Sequence, residues 1–236
     1  MASVSNLPAT PPTGMPKNVS RKRKNILPWI VAFLTLILII ISKTAYSAGE
    51  QDFRQGMQYY RNRQFSEAFP CFEKAARSGN TEAQSMIGVL YFQGNGVGKD
   101  DREAAKWFEK AARAGEPDAQ TFMGVMNLEG RGMPKNEAEA FKWFEKAATN
   151  GETSARNYLG TAYMKGQGTA KNTEKAIYWF TRAAESGDTS AQKILGALYL
   201  SGHEDIAKDT LKARYWLQKA ADQDDSDALE LLKQID

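Results

Sequence analysis

The residues that first invite a chemical reading are Gly94, Gly96, Gly98 and Lys99, within the stretch 91–108, YFQGNGVGKDDREAAKWF. Glycine-rich loops ending in lysine cradle phosphates with free backbone N–H groups. That chemistry needs G-x-x-x-x-G-K-[ST] between a strand and a helix. Here the glycine spacing is one residue short, and Asp100 stands where a magnesium-binding hydroxyl belongs. Ser190 and Lys193 form S-x-x-K, the nucleophile–base spacing of penicillin-recognising enzymes, but the companion S-D-N and K-T-G motifs are absent. The single histidine, His203, has no second histidine or cysteine near it to make a metal set. The acidic run DQDDSD (222–227) lacks the central glycine of a calcium loop and has Lys233 where that loop needs glutamate. Cys71 is the only cysteine, which excludes an intramolecular disulfide, and it reads as a buried, inert thiol. No catalytic residue, metal ligand or cofactor site is assigned, and an enzyme is not expected.

The elements that carry these residues explain them better. The stretch at 91–108 recurs 36 residues on as NLEGRGMPKNEAEAFKWF (127–144) and again as YMKGQGTAKNTEKAIYWF (163–180). A fourth copy, YLSGHEDIAKDTLKARYWL (199–217), has one extra residue in the loop. A pattern that recurs at such a period belongs to a stacked repeat rather than to one catalytic loop. In the first full copy a helix is expected near 81–93, with Ala83, Ile87, Leu90 and Tyr91 on one face. Gly88, Gly124, Gly160 and Gly196 fall in mid-helix, where glycine is unfavourable unless a neighbour comes too close for a Cβ. Gly94, Gly130, Gly166 and Gly202 should end the first helices in a left-handed conformation, and Gly96, Gly132 and Gly168 should bend the loop. Asp100, Asn136, Asn172 and Asp209 suit the N-caps of the second helices. Those helices carry Trp107, Trp143, Trp179 and Trp216 beside paired alanines, a register that points to packing between units, and Gly79, Gly115, Gly151 and Gly187 close them.

The paired patterns IGVLYFQGNGVGKD…AAKWFEKAARAG and LGTAYMKGQGTAKN…AIYWFTRAAESG resemble Sel1-like repeats, relatives of the tetratricopeptide repeat. The resemblance covers 81–116, 117–152, 153–188 and 189–225. The fourth unit departs from the pattern with Glu204 at the second loop glycine, so its loop should differ. Residues 50–80 read as a shorter, degenerate tetratricopeptide-like first unit that keeps Gly56, Ala68 and Phe72, with Pro70 expected to distort its second helix or to sit in that helix's first turn. Residues 226–236 read as a closing helix capped by Ser226. The resemblance implies an all-α, right-handed solenoid of antiparallel helix pairs with an extended concave surface. It further implies a non-catalytic scaffold or adaptor that binds other proteins, often in the cell envelope. A polysaccharide- or peptidoglycan-binding protein is one alternative, and a weak cell-wall hydrolase using Ser190 is another.

The charge is divided along the chain. The first 49 residues hold Lys17, Arg21, Lys22, Arg23, Lys24 and Lys43 and no acid, which leaves the rest with 25 basic and 28 acidic residues, mildly acidic and unsuited to nucleic acid. Residues 1–25 read as a disordered basic tail. The uncharged run 26–41, ILPWIVAFLTLILIII, extends to 45 as a single transmembrane signal-anchor; Ala45 and Ser47 also fit a signal-peptide cleavage site, which would leave a soluble periplasmic or secreted product. The Arg21–Lys24 cluster should keep the N-terminus cytoplasmic and put the repeats outside, which is the periplasm if the cell is Gram-negative.

For a partner, the expected surface is one stripe of each first helix: Ser85, Val89 and Phe92, then Thr121, Val125 and Leu128, then Asn157, Thr161 and Met164, then Lys193, Ala197 and Leu200. The last position of each set is apolar, which fits a greasy groove for a helix or an extended segment, or simply packing beneath the loops.

Overall fold

Thirteen-residue helices recur because each has a polar start, a period of 3.6 in its alanines and aromatics, and a glycine just past its end. In the computed structural model, which describes residues 34, 37, 48–203 and 205–235, α1 covers 48–61. It is followed by α2 (Phe65–Arg77), α3 (Thr81–Gln93), α4 (Asp101–Arg113), α5 (Pro117–Glu129) and α6 (Glu137–Thr149). Then come α7 (Thr153–Lys165), α8 (Thr173–Glu185), α9 (Thr189–Ser201), α10 (Thr210–Ala221) and α11 (Ser226–Leu232). Consecutive helices pack in pairs, and each pair packs on the next, in an all-α solenoid. Among the described residues the only β-type pairing is an isolated bridge, His203 to Ile206. The expected tail 1–25 lies outside the described residues, as does the expected span 26–45 apart from Leu34 and Ile37. Among the described residues no helix is long and apolar enough to cross a membrane.

The odd-numbered helices from α3 to α9 are termed A helices and their even-numbered partners B helices. The mid-helix glycine of each A helix faces a side chain of its own B helix. A Cβ on Gly88 would lie 2.7 Å from the Phe108 ring, one on Gly160 2.6 Å from Phe180, and one on Gly196 2.5 Å from Leu217. Gly124 meets Phe144 in the same way. These rings and Leu217 are at most 2% exposed, so the missing Cβ is the space that lets each helix pair close. The tryptophans pack backward. Trp143 joins a cluster built on Phe108 and Met123, and Trp216 one built on Phe180 and Leu195; both are buried, while Trp107 and Trp179 are partly buried.

Gly94, Gly130 and Gly166 end α3, α5 and α7 at φ 75°, 72° and 71°, left-handed as expected. The second loop glycine has a further role. A Cβ on Gly96 would lie 2.5 Å from the carbonyl carbon of Phe65, and Gly132 and Gly168 nest likewise on Asp101 and Glu137, the first residues of the preceding B helices. The fourth loop lacks this glycine and takes another course. Gly202 has ψ 160° instead of a left-handed pair, and the buried Ile206 bonds back to His203. A cavity of about 820 Å³ opens there, bordered by Lys171–Glu174, Ile177 and Asp205–Asp209.

Several finer expectations are corrected. Asp225, not Ser226, caps α11, because its carboxylate accepts the Ala228 N–H while Ser226 is already helical. Pro70 is neither in the first turn nor a helix breaker. It occupies the sixth position of a continuous α2, where it can only deprive the Ser66 carbonyl of its helical donor. Gly79, Gly115, Gly151 and Gly187 lie one residue past the caps Ser78, Ala114, Asn150 and Ser186, at φ 90–99°.

Candidate functional site

The chemical candidates resolve into structural parts. Lys99 is exposed, and Asp100 caps α4 by accepting the N–H groups of Arg102 and Glu103. Asn136, Asn172 and Asp209 cap α6, α8 and α10 in the same way. Lys193 does not pair with Ser190 as a base. Its Nζ lies 2.7 Å from Asp227 and 3.0 Å from Asp225, and hydrogen bonds to both carboxylates raise its pKa, which holds the amine charged. The acidic run therefore ties α11 to α9. Among the described residues no group of three His, Cys, Asp or Glu side chains could hold a metal ion. Cys71 corrects the buried reading: it is only half-buried, although desolvation still pushes its thiol upward.

Two inter-unit staples carry no obvious sequence signal. Buried Gln84, Gln120 and Gln192 each donate from Nε2 to the carbonyl of Ala76, Ala112 or Ala184 at the end of the preceding helix, at 3.4, 3.2 and 3.0 Å. Arg131 clamps the seam between two units. Its Nη2 donates to Asp101 Oδ1 at 2.7 Å and its Nε to Oδ2 at 3.2 Å, while the guanidinium lies 3.5 Å over the Phe92 ring.

This clamp shows where the expected stripe lies. Ser85, Val89 and Thr121 are buried. Phe92 is half-buried, set edge-on to Phe108 and Phe122 at 6.2 and 5.7 Å. Leu128 and Val125 pack against the cluster of Phe144 and Leu159, and Met164 against that of Phe180 and Leu195. Asn157, Thr161, Ala197 and Leu200 are half-buried, and Lys193 is held by α11. The A helices face solvent along an adjoining line: Glu82, Met86 and Gln93 in α3, then Asp118, Phe122, Val125 and Glu129 in α5, then Ser154, Tyr158, Thr161 and Lys165 in α7.

On that line α5 and α7 enclose an open groove of about 380 Å³, lined by Asp118, Thr121, Phe122, Val125, Ser154 and Tyr158. Its two rings are held flat from behind. Phe122 stacks on Phe108 at 4.4 Å and 10°, and Tyr158 on Phe144 at 4.6 Å and 5°, yet Tyr158 stays 37% exposed. Its rim is acidic. Glu116 caps α5 through the Ala119 N–H, and Glu152 caps α7 through Ser154. The Asp118 carboxyl is pushed above its ordinary value by desolvation, then by the charge of Glu152 and a hydrogen bond to it, then by Glu82. Glu116 is raised by desolvation, against its cap hydrogen bond, with Asp118 and Glu82 adding to the rise.

The helix pairs recur with a glycine-bearing loop in each unit, a pattern shared with known proteins. The Sel1 repeat model matches residues 62–80, 81–116, 117–152, 153–188 and 189–225. The chain belongs to the Sel1 repeat family. Sel1-repeat proteins generally mediate protein–protein interactions. The fold is similar to a Sel1 repeat protein from Oxalobacter formigenes, with 35% identity, 79% of this chain and 78% of that one covered, and a TM-score of 0.73. It is also similar to c5321, a protective antigen of uropathogenic Escherichia coli with an SLR fold, at 31% identity and a TM-score of 0.71. That match covers 81% of this chain but 42% of the antigen, so the chain spans less than half the antigen's length. A third likeness is to immunity protein Pa5087 from Pseudomonas aeruginosa, with 25% identity, 74% and 68% of the two chains covered, and a TM-score of 0.53. Comparison with curated proteins gives no match.

Proposed function

We propose that this Sel1 repeat chain is a non-catalytic scaffold, anchored in a membrane through residues 26–45, that holds partner proteins on the outer line of its A helices. The observation that carries this reading is the groove between α5 and α7, the place on that line where two aromatic rings are braced from behind and left open in front. Rigid rings with one free face give contact area at little entropic cost, which is how binding hot spots are built. The half-buried Val125 and Thr161 of the expected stripe border the same line, so the binding face would be continuous with it. The uncharged run 26–41 behind Arg21–Lys24 supports the anchor, with the N-terminus cytoplasmic and the repeats in the periplasm or its equivalent.

Two experiments test the reading. A photocrosslinking residue in place of Tyr158 should capture a defined protein in intact cells, whereas the same residue in place of the exposed Lys142 of α6 should not. Equal capture, or none, at the two positions overturns the scaffold reading. An alkaline phosphatase domain fused after Asp236 should be active, and an inactive but well-expressed fusion overturns the topology.

A further inference from the structure

The rim of the groove carries acidic charge that no cation among the described residues balances. Glu82, Glu116, Asp118 and Glu152 gather at the starts of successive A helices. Carboxylates there are ordinarily stabilised by the helix dipole and the free N–H groups, and their pKa values fall. Asp118 and Glu116 move the other way, and no cation is among the groups acting on them. At the C-terminal end of the stack the equivalent carboxylates are already neutralised, because Lys193 bridges Asp225 and Asp227. Among the described residues the acids at α5 and α7 have no such cationic partner.

The apolar half of the groove matches the same chemistry. An aromatic face attracts a cation through its quadrupole, and the aliphatic stem of lysine or arginine packs along apolar carbon. Phe122 and Tyr158, each stacked on a B-helix phenylalanine, line the groove together with Val125 and Asp118. The protein already uses this pairing internally, where Arg131 lies over Phe92 and binds Asp101 with two hydrogen bonds.

We infer that the groove between α5 and α7 docks a lysine or arginine side chain borne on an otherwise apolar segment of the partner protein. In this arrangement Asp118 and Glu152 take the charge, and Phe122 and Tyr158 take the stem. The inference rests on the scaffold reading and names the chemistry of its partner.

The test uses the full chain in a neutral detergent and a fluorescent peptide, acetyl-Leu-Lys-Leu-Gly-Leu-Arg-Leu-amide, followed by anisotropy. The cationic peptide should bind at least roughly tenfold more tightly than its analogue with glutamine at both charged positions. An Asp118→Asn, Glu152→Gln double variant should lose about the same factor while staying folded by circular dichroism, because the glutamine amide oxygen can still accept the Ser154 N–H that caps α7. Tyr158→Leu should weaken binding and Tyr158→Phe should keep it. Equal affinity for the two peptides overturns the inference, as does unchanged affinity in the double variant. Binding that emerges only when Arg21, Lys22, Arg23 and Lys24 are changed to glutamine also overturns it, because the occupant is then the chain's own basic segment. Capture at Tyr158 in cells that persists in the double variant sinks this inference and leaves the scaffold standing. Absence of capture in the wild type sinks the scaffold itself.

Discussion

Gly88→Ala gives a clean test of how the units close. The added methyl would lie 2.7 Å from Cδ1 and Cε1 of Phe108 and 3.0 Å from its Cγ, where ordinary contact is 3.4–4 Å. The ring must therefore withdraw by about 0.7–1 Å, and it has nowhere to go. Phe108 is fully buried, and its other face stacks on Phe122 at 4.4 Å. Overpacking of this kind costs about 1–3 kcal/mol. Alanine regains about 1 kcal/mol over glycine inside a helix. The net loss is then up to about 2 kcal/mol, and at about 2–4 °C per kcal/mol for a chain of this size the melting temperature should drop by up to about 8 °C. Lys99→Ala, at an exposed loop position, should stay within about 0.5 kcal/mol of the wild type. The deciding measurement is the double variant Gly88→Ala, Phe108→Leu in thermal melts followed by circular dichroism. Leucine gives the methyl room, so the two losses should be less than additive by about 1 kcal/mol or more. If Gly88→Ala melts above the wild type, or if the two substitutions simply add, the close approach of ring to glycine is not what holds the pair together.

Arg131→Met should lower the melting temperature, because it leaves Asp101 without its bidentate partner; the pair is worth about 1 kcal/mol at this half-exposed seam. The effect should depend on pH. The hydrogen bond from Arg131 holds the Asp101 carboxyl below its ordinary 3.8, so the contribution is complete above that value and lost as pH falls through the lowered one. The gap between wild type and variant in melts from pH 7 to pH 2.5 should therefore narrow only below pH 3.8, and a gap that is constant across the range contradicts the assignment. Cys71 should alkylate slowly, with the rate rising to its midpoint above pH 9.0, because burial raises the thiol more than Lys74 lowers it; a midpoint near pH 8 would contradict this. Lys193→Gln should speed amide hydrogen exchange in α11 and leave α7 unchanged, since only α11 is tied to that lysine through Asp225 and Asp227.

The fold was legible because its constraints repeat. A glycine facing a bulky B-helix side chain, a positive-φ glycine after each A helix and an Asp or Asn at each B-helix cap impose the same demand in successive units, so the same residue type returns at a spacing of 36 residues. Glu204 marked the fourth loop as different, and the loop does take another course. The purpose of Gly96 was not legible: nothing local reveals that its Cα must lie against the Phe65 backbone, 31 positions earlier. Nor could spacing alone fix the solvent face. Helices with apolar residues almost all round have a weak periodic signal, and α3 buries Ser85 and Gln84 beside Ile87 and Leu90. The polar Ser85 looked outward in sequence, while Met86 and Phe122, which look like core, lie on the outer line.

That inversion follows from what each kind of position has to do. Positions that close a helix pair must satisfy the same geometry in each unit, so they become uniform. Positions on the outer line satisfy no internal geometry, so they are free to differ: Met86, Phe122, Tyr158 and Ile194 share one register and four chemistries. Periodicity arguments pass over variation of this kind. Yet the variation is not arbitrary along the stack. The two aromatic members occupy adjacent units, each braced by a B-helix phenylalanine, and the acids Glu116, Asp118 and Glu152 accompany those same two units. The last unit instead places Lys193 on its face and neutralises it with α11. A segment lying along the A helices would thus meet an acidic, aromatic centre and a charge-balanced end. Such a gradient fixes the direction in which the segment lies as well as its place.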